Sequence, residues 1–140
     1  MAPHSNPIVI TEFDRDRLAR LLEALRARPG GDTPDLEALE IEIERADVVK
    51  PGDIPPNVVT MNSKVELVDL DTQERLCVTV VFPGTADVKS GRISVLAPMG
   101  LALLGCREAD EVEWPTPSRT RRLRIERVAY QPEASGRFDL

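Results

Sequence analysis

Pro51-Gly52-Asp53-Ile54-Pro55-Pro56-Asn57-Val58-Val59-Thr60-Met61-Asn62-Ser63 divides the chain. Before it the apolar residues fall at helical spacing, and after it they alternate or cluster as strands do. Thr11 followed by Asp14 reads as a capped helix start. Leu18, Leu21, Leu22 and Leu25 then form one helical stripe, which Pro29-Gly30-Gly31 ends. Thr33 caps a second helix with Pro34 in its first position, and Leu36, Leu39, Ile43 and Ala46 supply the facing stripe. So short a connection makes the two helices antiparallel neighbours. Arms of ~15 residues reach only ~22 Å. The division predicts an N-terminal tail and short helical hairpin over 1–50, with a body over 51–140 joined by a proline-stiffened linker at Lys50–Pro56.

The body reads as β-rich. Val65–Asp69, Leu76–Phe82, Arg92–Leu96, Glu111–Trp114 and Arg122–Val128 are predicted strands. Pro98–Gly105 is a short apolar helix, opened by proline and stopped by glycine. The expected class is α+β, a helical hairpin joined to an antiparallel sheet wrapped on one short helix. The tail from Pro132 is expected to be only partly ordered.

Composition narrows the function. A formal charge of −6 over 140 residues argues against strong direct binding of nucleic acid, whose phosphates reward cations. Aromatic residues make up 4% of the chain, which leaves few platforms for stacking bases. No apolar run approaches membrane-spanning length. Met1–Pro7 lacks the basic and apolar regions of a signal peptide, so a cytoplasmic location and no membrane partner are expected. Charge is uneven: residues 35–47 carry six acids against Arg45, and residues 119–127 carry five arginines against Glu126. Each is a solvated face or a surface that chooses a partner by potential. Cys77 and Cys106 read as small buried thiols.

Catalytic chemistry is poorly supplied. The single histidine, His4, lies in a proline-flanked tail, and no cysteine and histidine spacing suits zinc. No glycine-rich loop joins a strand to a helix. The chain is therefore read as no enzyme, with no cofactor and no metal of its own. The expected hairpin tip carries Asp32, Asp35 and Glu37. Close carboxylates can hold magnesium, and acids also favour a helix N-terminus. Met61 and Met99 suit an adaptable docking surface if exposed and a core if not.

Three segments carry a resemblance: Pro56–Ser63, Leu96-Ala97-Pro98-Met99-Gly100-Leu101-Ala102-Leu103-Leu104-Gly105, and Tyr130-Gln131-Pro132-Glu133. Over about residues 8 to 138 the chain resembles the bacterial transcript cleavage factor family, and within it the branch of nucleoside diphosphate kinase regulators. The resemblance implies an N-terminal antiparallel coiled coil and a C-terminal domain of FKBP-like fold. It implies binding to bacterial RNA polymerase, with the globular domain docked on a coiled coil of the largest subunit at the rim of the secondary channel. In the cleavage factors two tip acids then help place a catalytic magnesium. Here the hairpin is much shorter, and the docking loop reads Leu96-Ala97-Pro98 where those factors often have Asp-Ser-Pro.

These features predict a non-catalytic transcription regulator that competes with cleavage factors. Its polymerase-binding surface is expected at Leu96, Ala97, Pro98 and Met99, with Asn62 and Ser63 beside them. The alternatives are a cleavage-stimulating factor that uses Asp32 and Asp35, and a peptidyl-prolyl isomerase, for which Trp114, Tyr130, Phe13, Phe82 and Phe138 are the aromatics available.

Overall fold

The helical third follows its capping residues, in a computed structural model that describes residues 7–31 and 33–137. Strand β1 (Val9–Thr11) leads into helix α1 (Glu12–Arg26), and the Thr11 hydroxyl accepts the Asp14 N–H at 3.0 Å. Helix α2 (Pro34–Arg45) starts the same way, with Thr33 accepting the Leu36 N–H at 3.3 Å. Each cap satisfies one N–H that the helix itself leaves without a partner. At 1.5 Å per residue α1 is about 22 Å long and α2 about 18 Å. Arg26 of α1 pairs with Glu40 of α2.

Two short strands escaped the sequence pattern. β2 (Asp47–Val49) pairs with β1 in parallel, Val9 opposite Asp47 and Thr11 opposite Val49. Strands of three residues are too short to show alternation.

The segment read as a linker is anchored at Ile54, while Lys50, Gly52, Asp53, Pro55 and Pro56 stay exposed. Pro51–Asp53 forms a 3-10 turn, and Ile54 is buried in a small cluster with Val9 and Val58. From Val58 to Met61 every residue is fully buried. Leu18, Leu22, Leu36 and Leu39 belong to the same apolar cluster as Met61, Val65, Leu103 and Ile125. The helices therefore share a core with the sheet.

Five strands complete the body: β3 (Lys64–Asp69), β4 (Arg75–Val81), β5 (Arg92–Ser94), β6 (Glu111–Pro115) and β7 (Thr120–Tyr130). Their order is β5-β4-β3-β7-β6. The register of β3 against β7 shifts between Lys64 and Val65 and again between Glu66 and Leu67, irregularities that bend a sheet. The expected antiparallel arrangement fails at one edge, where β5 runs parallel to β4 with Thr79 opposite Arg92. The intervening residues hold two 3-10 turns, Pro83–Thr85 and Val88–Ser90, and carry the chain back alongside Thr79–Val81 of β4 instead of closing a hairpin. Cys77, expected to be buried, is exposed on β4, whereas Cys106 is buried.

Helix α3 (Pro98–Leu103) covers the sheet with Leu101, Ala102 and Leu103 buried. Gly105 follows it at φ +79°, the left-handed conformation that glycine adopts freely. A Cβ there would run into the Ile8 side chain. The tail is better ordered than expected: Gln131 and Glu133 are buried, and Glu133–Ser135 forms a 3-10 turn. Among the described residues no helix is long and apolar enough to cross a membrane.

Gly105→Ala is expected to cost about 1–3 kcal/mol, combining left-handed strain with overpacking against Ile8. Gly84→Ala, whose Cβ would meet nothing, is expected to stay within ~0.5 kcal/mol of the parent. Urea denaturation of the two variants checks the contrast.

Candidate docking surface

Four of the residues singled out in the sequence come together at the start of α3. Pro98 is exposed, and Leu96, Ala97 and Met99 are half-buried around it. Leu96 and Met99 also pack against the core. The backbone here is tied down closely. The Val95 N–H donates to the Val81 carbonyl at 2.9 Å, the Leu96 N–H to Ser94 Oγ at 3.0 Å, and the Ala97 N–H to the Ser94 carbonyl at 3.0 Å. Gly100 lets the helix sit against β5, since a Cβ there would strike the Ser94 carbonyl oxygen. The result is a rigid apolar corner that would lose little entropy on binding.

The two weaker candidates divide. Asn62 is half-buried at φ 67°, with its N–H donated to the Val80 carbonyl at 2.6 Å. Ser63 is fully buried and offers a partner no surface. Met61 is buried as well. Asp35 and Glu37 stand exposed in the first turn of α2, while Asp32 lies outside the described residues. Among the described residues no group of three or more histidines, cysteines, aspartates or glutamates could hold a metal ion.

A buried polar network supports the turn before β3. Ser63 Oγ accepts the Thr60 N–H at 2.9 Å and shares a hydrogen bond with Thr60 Oγ1 at 2.8 Å. The Thr60 hydroxyl donates to Glu133 Oε1 at 2.7 Å, which leaves Ser63 as the donor between the two hydroxyls. From α1, Asp14 accepts the Met61 N–H at 3.1 Å and pairs with Arg17 at 2.5 Å. Arg17 stacks between Phe13 and Phe82, its guanidinium 4.1 and 4.8 Å from the ring centres. Gln131 Nε2 donates to the carbonyls of Pro55 and Val58, both at 2.8 Å. Burial pushes the Asp14 carboxyl up to about 6, against the lowering by Arg17 and the Met61 N–H, with the Glu133 carboxylate adding to the rise.

Local pattern does not reveal this network: Asp14 reads from the sequence as an acid in a first helical turn, and Gln131 and Glu133 carry no spacing signal of their own. Asp14 and Glu133 lie 119 positions apart, and no local pattern connects them. The one available signal was the Thr60-x-x-Ser63 spacing just before a strand, which suits hydroxyls that tie a turn.

The basic strand is largely matched from within. Arg119 and Arg121 pair with Asp69 at 3.0 and 3.2 Å, and Arg119 and Arg122 pair with Asp71 at 3.0 Å. The Arg119 guanidinium holds the Asp69 carboxyl well below the usual carboxylate range, helped by the Asp71 and Thr72 N–H groups. Arg127 pairs with Glu66 and Arg124 with Glu126. The Cys106 thiol is pushed up to about 12 by burial, with Asp110 and Glu42 adding, so it is no ready nucleophile.

Comparison with known proteins finds two family profiles on this chain. The profile described as "Transcription elongation factor, GreA/GreB, C-term" matches residues 54–130, and the one described as "Rnk N-terminus" matches residues 6–49. The regulator of nucleoside diphosphate kinase of Escherichia coli (strain K12) is 36% identical over 133 residues, covering 94% of this chain and 95% of that protein. Transcription elongation factor GreA of Syntrophotalea carbinolica is 35% identical over 108 residues, covering 77% of this chain and 68% of that one. The solved structure of a GreA/GreB elongation factor from Nitrosomonas europaea superposes with a TM-score of 0.75 at 43% identity, covering 90% of this chain and 100% of that one.

Asp14 has a pH signature with a definite sign. Its folded pKa lies above the ordinary 3.8, so the folded state binds more protons than the unfolded one between pH 3.8 and about 6. Its contribution to stability is fully present below that window and is lost as pH rises through it. Relative to Asp14→Asn, the parent is expected to lose about 3 kcal/mol across this interval. Urea denaturation at a series of pH values reads the difference; parallel curves for the two proteins would refute it.

Proposed function

The chain belongs to the GreA/GreB transcription elongation factor family, in the branch that carries the N-terminus of the nucleoside diphosphate kinase regulators, and from that membership we propose that it regulates transcription by binding bacterial RNA polymerase. Residues 51–140 form an FKBP-like docking body that seats at the rim of the secondary channel, on the coiled coil of the largest subunit. Residues 1–50 form a short antiparallel helical hairpin directed toward the channel. The protein competes there with cleavage factors and stimulates no cleavage itself. An effect on nucleoside diphosphate kinase then follows through transcription.

The observation that carries this reading is the rigid apolar corner at Leu96, Ala97, Pro98 and Met99, with Pro98 exposed and the backbone leading into it hydrogen-bonded from Val95 to Ala97. Asn62 is a further contact, a polar side chain on a left-handed turn. The contact is apolar, so its affinity comes from surface removed from water more than from charge. The helices are about 22 and 18 Å long, which supports an arm that stops short of the polymerase active centre and keeps Asp32 and Asp35 away from its magnesium.

Pro98→Arg places a charge in the apolar contact without touching the core. It is expected to abolish retention of core RNA polymerase in a pull-down while leaving the thermal melt unchanged, and normal retention would reject the site. In backtracked elongation complexes the parent protein is expected to slow GreA-stimulated RNA cleavage and to add none. Cleavage by the protein alone that disappears in Asp32→Asn and Asp35→Asn would establish the cleavage-factor alternative instead.

A further inference from the structure

Away from the α3 corner, α1 and α2 leave an open groove of about 400 Å³ between them. Ala19, Leu22 and Ile43 supply its apolar lining, and Glu23, Arg26, Glu40 and Glu44 its polar margin. The residues that α1 and α2 contribute recur at three- and four-residue spacing, so the groove runs along both helix axes. A third helix laid there would bury an apolar stripe against two helices at once.

We propose that this groove receives a basic amphipathic helix of a protein partner. The charge of the margin selects the occupant. Arg26 is engaged by Glu40, and Glu23 and Glu44 stand exposed. The face continues along α2 with exposed Glu37, one turn before Glu40. A helix with apolar residues flanked by lysine or arginine complements this surface, and an acidic one is repelled by it. A second copy of the chain is a poor occupant. α1 balances four arginines with four acids, α2 has five acids and one arginine, and α3 is uncharged, so among the described residues none of the three α-helices carries net positive charge. The arginines of β7 are engaged by Asp69, Asp71, Glu66 and Glu126. The inference stands apart from the polymerase reading, because the groove shares no residue with the α3 corner.

The test is NMR titration of the full ¹⁵N-labelled chain with a synthetic helical peptide that carries a leucine stripe flanked by lysines. A matched peptide has glutamate in place of lysine. The lysine peptide is expected to shift the amides of Ala19, Leu22, Ile43 and Glu44, and the glutamate peptide to shift none. Ala19 is exposed, so Ala19→Trp fills the groove from the surface and is expected to weaken binding about tenfold, as is Glu23→Lys combined with Glu44→Lys. Pro98→Arg is expected to bind the peptide normally, which separates this inference from the polymerase site. Shifts spread over the sheet, or undiminished binding by Ala19→Trp, would overturn the proposal. So would a dimer in sedimentation that Ala19→Trp dissolves, since a second copy would then hold the groove.

Discussion

A buried backbone must find partners for its N–H and C=O groups, and in this chain that demand falls on residues 58–63. They cross the interior as an irregular stretch, so regular secondary structure does not satisfy most of them. The Val59 N–H reaches the Cys106 carbonyl at 2.8 Å, and the Val59 carbonyl accepts from Gly105 at the same distance. Met61 donates to Asp14, and Gln131 covers the carbonyls of Pro55 and Val58. Partners thus come from α1, from the end of α3 and from the closing segment. The fold closes around this stretch, and each of those elements is placed by what it supplies there.

That closure accounts for the stiffness of the α3 corner. Gly105 is pressed against Ile8 and bonded to Val59, which fixes the C-terminal end of α3. Gly100 against Ser94 fixes its N-terminal end. Held at both ends, the helix presents Pro98 from a fixed frame. Arg17, stacked on Phe82 and paired with Asp14, joins α1 to the residue that follows β4, two bonded strands away from the same corner. Helices and sheet are thereby linked by polar contacts as well as by a shared core.

Charge is distributed with a similar economy. Five arginines lie along β7 and its approach, and Asp69, Asp71, Glu66 and Glu126 meet them. The exposed pairs among them contribute little each, whereas Asp69 is buried beneath Arg119 and Arg121. These arginines are matched locally, and much of the net charge of −6 gathers on α2. A partner would meet an apolar corner at α3 and an acidic margin along the helices, two surfaces that ask for different chemistry.

The sequence by itself determined the local elements. Thr11, Thr33, Pro34, Pro98 and Gly105 set helix ends through groups one to four residues away, and β-branched runs such as Val78–Val81 set strands, so these were legible from short-range pattern. The helix start at Pro98 was legible too, because its proline lies in one contiguous apolar segment. Only the tertiary structure decided that Ile54 is anchored in a buried cluster, that β5 runs parallel to β4, and that Ser63 is buried while Cys77 is not. It alone brought Asp14, Gln131 and Glu133 onto one buried turn. The physical reason is separation: a hydrogen bond between groups a hundred residues apart leaves no period or spacing in the chain, and it exists only once the core that buries both has formed.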